Sequence, residues 1–223
     1  MVDRHTYIPF IGLFIMLIWG ASRLARILQI KKAWLLAASL CLVLTLAALT
    51  RRQLGYWQNS ATLFQHALES TEGNHLAHSN LGIFLLRSGN LDKAVDHFHK
   101  ALEISPHFAP AHTNLGTALR RQGNLDQAVN HLLLALEIQP DIPEAYNTLG
   151  IVLAQMERTE EALEYFSRAR EIQPDYITAY YNSGLLLEEQ DRVEEAIQLF
   201  REILILDPSH ANARQQLKLL EQR

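Results

Sequence analysis

The chain repeats itself every 34 residues from His75 to about His210. Set in register, four units begin at His75, Ala109, Pro143 and Ile177. Position 8 of each is Gly82, Gly116, Gly150 and Gly184, and position 20 is Ala94, Ala128, Ala162 and Ala196. Position 24 carries Phe98, Leu132, Phe166 and Phe200, and position 32 is Pro106, Pro140, Pro174 and Pro208. A period of this length marks a supersecondary unit that cannot bury both its faces alone, so stability must come from stacking neighbours.

Each unit reads as two amphipathic helices, A and B. In the first, helix A covers Leu76 to Arg87, with Leu81, Leu85 and Leu86 forming an apolar stripe at helical spacing. Gly89 and Asn90 break it where a left-handed residue is wanted. Asp92 lies in the first turn of helix B, where a carboxylate suits the positive end of the dipole. Helix B runs to Ile104, and Pro106 stops it for want of an N–H. Small residues allow helices to cross closely, so Gly82 is expected to face Ala94, and Ala101, Ala135 and Ala169 at position 27 to admit the next helix A. Ile203 takes that slot in the fourth unit, as expected where an array ends. Glu157 and Asp191 replace Gly89 and Gly123, which predicts slightly altered A–B turns there.

Glycine, alanine, an aromatic and a proline at these offsets of a 34-residue period resemble the tetratricopeptide repeat. The resemblance implies an all-α superhelix with repeats at 75–108, 109–142, 143–176 and 177–210. Residues 53–74 read as a half repeat of helix B type, with Phe64 in the position-24 slot and Ala67 in the position-27 slot. Residues 211–223, with Leu217, Leu219 and Leu220 among polar neighbours, read as a capping helix.

Residues 1–52 are of another kind. They hold seven Lys/Arg against one acid, whereas 53–223 hold thirteen against twenty-three. Ala33 to Thr50 is an uncharged apolar run, close to the roughly 17–25 residues a spanning helix needs. Tyr7 to Ala21 is a second run that spans if extended to Leu28 with Arg23 and Arg26 snorkelling outward. The expected anchor therefore has two transmembrane helices, at about 7–28 and 33–50. Trp19 and Trp34 flank one interface, and Tyr7, Tyr56 and Trp57 the other. Arg23, Arg26, Lys31 and Lys32 between the spans place that loop in the cytoplasm and the repeats outside it, with a bacterial inner membrane the expected location. Arg51 and Arg52, just past the second span, count against that orientation. A secretory signal cut near Gly20, Ala21 and Ser22 is the alternative for the first run, opposed by Asp3 and Pro9. Cys41 is the single cysteine and can form no internal disulfide.

The helix A faces are expected to line a concave surface for partners. Position 6 carries Asn80, Asn114 and Asn182; Thr148 replaces it in unit three, where Asn147 stands one residue earlier. An amide in each repeat can donate and accept, which suits the backbone of an extended peptide. The alternative is that these amides satisfy only local backbone groups or each other. The ladder resembles that of the O-linked N-acetylglucosamine transferase, whose asparagines at this repeat position hold peptide; Thr148 departs from it. A clamp for a terminal carboxylate is not expected, because no lysine stands in a helix A and Arg87, Arg120 and Arg121 come late in theirs. Nor is nucleic acid, which a repeat region of this negative charge repels.

The ten histidines include His78 and His112 at position 4, where Tyr146 and Tyr180 stand later, so aromatic packing is the expected role and no metal or cofactor is expected. No nucleophile elbow, phosphate loop or His-Glu-x-x-His is present, and the chain is not expected to be an enzyme.

The opening Asp-Arg-His-Thr-Tyr-Ile-Pro at residues 3–9, with Ile-Gly-Leu-Phe after it, and Tyr-Trp-Gln-Asn-Ser-Ala-Thr-Leu-Phe at 56–64, resemble a junction in transmembrane-and-tetratricopeptide O-mannosyltransferases and their bacterial relatives. His5 replaces the usual tyrosine. The resemblance covers the C-terminal part of that family and not its catalytic luminal loop. It implies that residue 1 is an internal start or the edge of a longer protein. The expected function is a membrane-anchored scaffold for proteins or extended peptides; the alternative is the acceptor-recognising portion of a lipid-linked-sugar-dependent glycosyltransferase.

Overall fold

A computed structural model of the chain describes residues 23, 37, 40–48, 50, 51, 60–71 and 73–222. The chain divides into two compact units, Met1–Gln58 and Asn59–Arg223. In the first, residues 40–48 are helical, and Thr45 Oγ1 donates to the Cys41 carbonyl at 2.8 Å within that helix. Among the described residues, no helix is long and apolar enough to cross a membrane. The expected span at about 7–28 lies almost wholly outside the described residues and that at 33–50 partly so, and their flanking aromatics lie outside them.

The second unit is a run of antiparallel helix pairs. The half repeat supplies α1 (Ser60–Ser70). The four full units supply α2 (His75–Arg87) with α3 (Leu91–Ile104), α4 (Ala109–Arg121) with α5 (Leu125–Ile138), α6 (Pro143–Gln155) with α7 (Thr159–Ile172), and α8 (Ile177–Glu189) with α9 (Val193–Leu206). The capping helix is α10 (Ala211–Leu220). Helix starts follow the sequence signals. The Asn74 side chain accepts from the Ala77 N–H at 2.9 Å, and Pro110 and Pro143 sit in the first turns of α4 and α6, where a missing N–H costs nothing.

The periodic small residues form the core, with one change of partner. Ala94, Ala128, Ala162 and Ala196 are fully buried, as are Ala101, Ala135 and Ala169. The glycines, however, face position 24. A Cβ on Gly82 would stand 2.6 Å from Phe98 Cε1, and one on Gly116 2.6 Å from Leu132 Cγ. Helix A is thus seated on a large side chain of helix B, and glycine leaves the room for it. Phe98, Phe166 and Phe200 are almost wholly buried there, each contributing about 1.5–3 kcal/mol of apolar burial.

The A–B turns of units three and four are not altered as expected. Glu157 (φ 61°) and Asp191 (φ 58°) take the same left-handed backbone as Gly89 (φ 80°) and Gly123 (φ 84°). The closing bond is kept as well. Asn90 N–H donates to Leu85 O at 2.8 Å, and Asn124, Arg158 and Arg192 repeat it on Leu119, Leu153 and Leu187 at 2.9 Å. This is a Schellman closure, which satisfies carbonyls left over at the helix end. Ile203, filling the slot used by alanine elsewhere, is fully buried with Ala213 and Leu220 of α10, so the larger side chain packs against the cap.

Candidate functional site

On each helix A, positions 6, 9 and 13 are spaced i, i+3, i+7 and therefore share a face. Between α6 and α8 these positions converge on a pocket of about 280 Å³, lined by Ile151, Gln155, Asn182, Leu185 and Glu189. Between α4 and α6 a second pocket, of about 340 Å³, is bordered by Thr113, Asn114, Asp141, Ile142 and Glu144. Asn114 and Asn182 thus each border a cleft between neighbouring A helices.

The amides differ in what occupies them. Asn80 and Asn114 are half-buried, and among the described residues their side chains make no hydrogen bond within the chain. Asn182 Nδ2 donates to Asn147 Oδ1 at 2.9 Å. Asn147 is only 5 % exposed, so it acts from below, orienting Asn182 while leaving the Asn182 carbonyl oxygen open. Thr148 is half-buried, and its hydroxyl donates to the Glu144 carbonyl at 2.7 Å, a bond within its own helix. The side-chain ladder therefore moves from position 6 to position 5 in unit three. Gln155, Leu185 and Glu189 were missed by sequence reasoning; their spacing of seven, three and seven residues from Thr148 and Asn182 is the signal that marks them.

The charged groups are unevenly placed. Arg121 Nη1 donates to the Leu86 carbonyl at 2.7 Å, tying α4 to the end of α2. Arg120 Nε is buried without a hydrogen-bond partner, and burial, then the neighbouring Arg121 charge, weaken its hold on its proton. In the later repeats, Arg158 meets Glu161 at 2.6 Å, and Arg192 bridges Glu195 at 2.7 Å and Glu160 at 3.0 Å.

The closest histidine contacts lie within repeats, and a looser one, His99 against His131 with ring centroids 6.0 Å apart, joins units one and two. His78 Nδ1 lies 3.0 Å from His97 Nδ1, and His112 Nδ1 lies 3.1 Å from His131 Nδ1. The Pro106 carbonyl can only accept, so His112 Nε2, 3.0 Å away, carries the hydrogen. Neutral His112 then accepts at Nδ1 from His131. Burial, then His112 and His99, push His131 down to about 4. Tyr146 and Tyr165 occupy the same two positions in unit three, with ring centroids 6.2 Å apart, in keeping with a packing role. Among the described residues, no group of three or more His, Cys, Asp or Glu could hold a metal ion.

A family profile described as "Tetratricopeptide repeat" matches residues 74–141, 107–175 and 141–208. No curated protein sequence matches the chain. Among solved structures, that of MamA is similar at a TM-score of 0.61 and 23 % identity, over 73 % of this chain and 95 % of that one. YrrB, described as a tetratricopeptide-repeat protein with an unusual peptide-binding site, is similar at a TM-score of 0.58 and 25 % identity, over 73 % and 84 %. PilF of Pseudomonas aeruginosa gives 0.61 and 25 %, over 66 % and 67 %.

Proposed function

Because the chain belongs to the tetratricopeptide-repeat family, we propose that it is a membrane-tethered scaffold whose A-helix groove holds an extended polypeptide. One observation carries this reading. Asn80, Asn114 and Asn182 recur at one repeat position; the first two have open amides, and the last two border clefts of about 340 and 280 Å³. Such amides match peptide N–H and C=O groups without demanding a particular side chain. The peptide-binding site described for YrrB, which has the same fold, supports the class of ligand.

Tethering is supported by the first unit. Leu40, Leu42, Val43, Leu44 and Leu46 lie on a helix and are all between 53 and 61 % exposed, so apolar side chains face outward on successive sides. A bilayer is the solvent that accepts such a helix. The basic segment Arg23, Arg26, Lys31 and Lys32 supports repeats on the extracytoplasmic side. The scaffold has no chemistry of its own in this reading. Residues 3–9 and 56–64 favour a second one, in which the repeats select acceptors for a lipid-linked-sugar transferase. An in-frame upstream continuation rich in spans supports the second reading, and a stop codon with a ribosome-binding site before Met1 supports the first.

The groove reading is tested by replacing Asn80, Asn114 and Asn182 together with alanine and crosslinking partners from membranes. Capture is expected to be lost at unchanged helicity; undiminished capture rules the amides out.

A further inference from the structure

The stripe that carries the asparagines also carries a gradient of charge. Position 13, which shares the face of position 6, reads Arg87, Arg121, Gln155 and Glu189 along the array. The pocket between α6 and α8 shows where this position points, since Gln155 and Glu189 line it together with Asn182. Arg120, one residue before position 13, adds a second guanidinium in unit two. The surroundings follow the same trend. Residues 75–142 hold five Lys/Arg against six Asp/Glu, and residues 143–210 hold five against fourteen.

Pairing sets these arginines apart from most of those in units three and four, where Arg170 is the exception and lies over the Tyr180 ring at 5.0 Å. Arg158, Arg168, Arg192 and Arg201 each meet a glutamate within 3.0 Å. Among the described residues, Arg87, Arg120 and Arg121 have no carboxylate within ion-pair distance. Arg121 spends one N–H on the Leu86 carbonyl, and Arg120 Nε is buried with no partner at all. Two neighbouring guanidinium groups, that of Arg120 half-buried and that of Arg121 exposed, both lacking an anion, favour a carboxylate that approaches in their fork geometry. At the other end, Glu189 is exposed and has no cation partner among the described residues.

Resting on the peptide-groove reading, we propose that the ligand is an extended polypeptide segment of split charge, with its acidic residues over Arg87, Arg120 and Arg121 and its basic residues over Glu189. The asparagines hold the backbone, and the position-13 gradient sets which way round the segment lies. Attraction at both ends also opposes binding of uniformly acidic or uniformly basic chains, each of which meets like charge at one end.

The test uses the full-length chain and synthetic peptides of about 15 residues, roughly 50 Å when extended. One carries aspartates at its N-terminal end and lysines at its C-terminal end, a second has the reverse order, and a third has serine at all those positions. One of the two split-charge peptides is expected to bind at least about tenfold tighter than the serine peptide in low salt. Arg87→Gln with Arg121→Gln, which installs the residue that unit three itself carries at this position, should remove most of that advantage, and Glu189→Gln part of it. The advantage is read as the ratio of split-charge to serine-peptide affinity within each variant, so that a loss common to both peptides, such as one from removing the Arg121 bond to the Leu86 carbonyl, cancels. Equal binding of all three peptides, lost on replacing the asparagines, overturns the charge gradient and leaves the groove reading standing. Binding of none overturns both.

Discussion

A Cβ built on Gly150 would stand 2.6 Å from Phe166 Cε1, closer than a helix B ring can approach a helix A that bears a side chain there. Phe166 is 1 % exposed and borders the pocket between α6 and α8, so relief would require its ring to leave its buried seat. Gly150→Ala gains helix propensity of about 1 kcal/mol but overpacks this contact by about 1–3 kcal/mol. Thermal or urea unfolding is expected to show a net loss of about 1 kcal/mol. A stabilised Gly150→Ala variant would mean that the two helices are not locked by this contact.

Glu157 and Asp191 hold a left-handed backbone that costs an ordinary L-residue about 1 kcal/mol. Glu157→Gly and Asp191→Gly should therefore each be neutral to stabilising by up to about 1 kcal/mol, against the usual trend for introducing glycine. Denaturant midpoints of the two variants decide this.

Acidification should weaken unit two through His131. His131 is pushed down to about 4, below the ordinary value near 6.5, so the unfolded chain binds the proton more readily than the folded one. This contribution is complete above about pH 6.5 and is lost as the pH falls towards 4. Half-exposure of the ring limits it to about 1 kcal/mol. Replacing His112 and His131 by tyrosine copies the Tyr146–Tyr165 pair of unit three, and this part of the difference between melts at pH 7.5 and 4.5 should vanish.

A compartment reporter fused after Arg223 is expected to read the extracytoplasmic side, given the basic residues between the two apolar runs. A cytoplasmic signal reverses the proposed topology.

Helix limits, buried alanines and the cap were legible because each depends on chain-local spacing, and spacing survives in the sequence. Partners across the fold were not. Gly82 was expected against Ala94, yet faces Phe98, because which residue of helix B lies opposite depends on crossing geometry. The histidines were grouped by equal position, whereas stacking of helix A on helix B pairs position 4 with position 23. The asparagine column was visible, but the support of Asn182 by buried Asn147 required knowing that position 5 of one helix A lies under position 6 of the next. Left-handed Glu157 and Asp191 show the helix-end closing bond overriding the conformational preference of the residue.

In the proposed scaffold, partners lie in the groove of the A helices. A photo-crosslinking residue placed singly at Thr117, Ile151 or Leu185 samples that face, and one at Leu134 or Arg168 samples exposed positions on the B helices. Irradiation of intact cells should yield partner adducts from the first three positions and few from the other two. Adducts from Leu134 and Arg168 alone would contradict that placement.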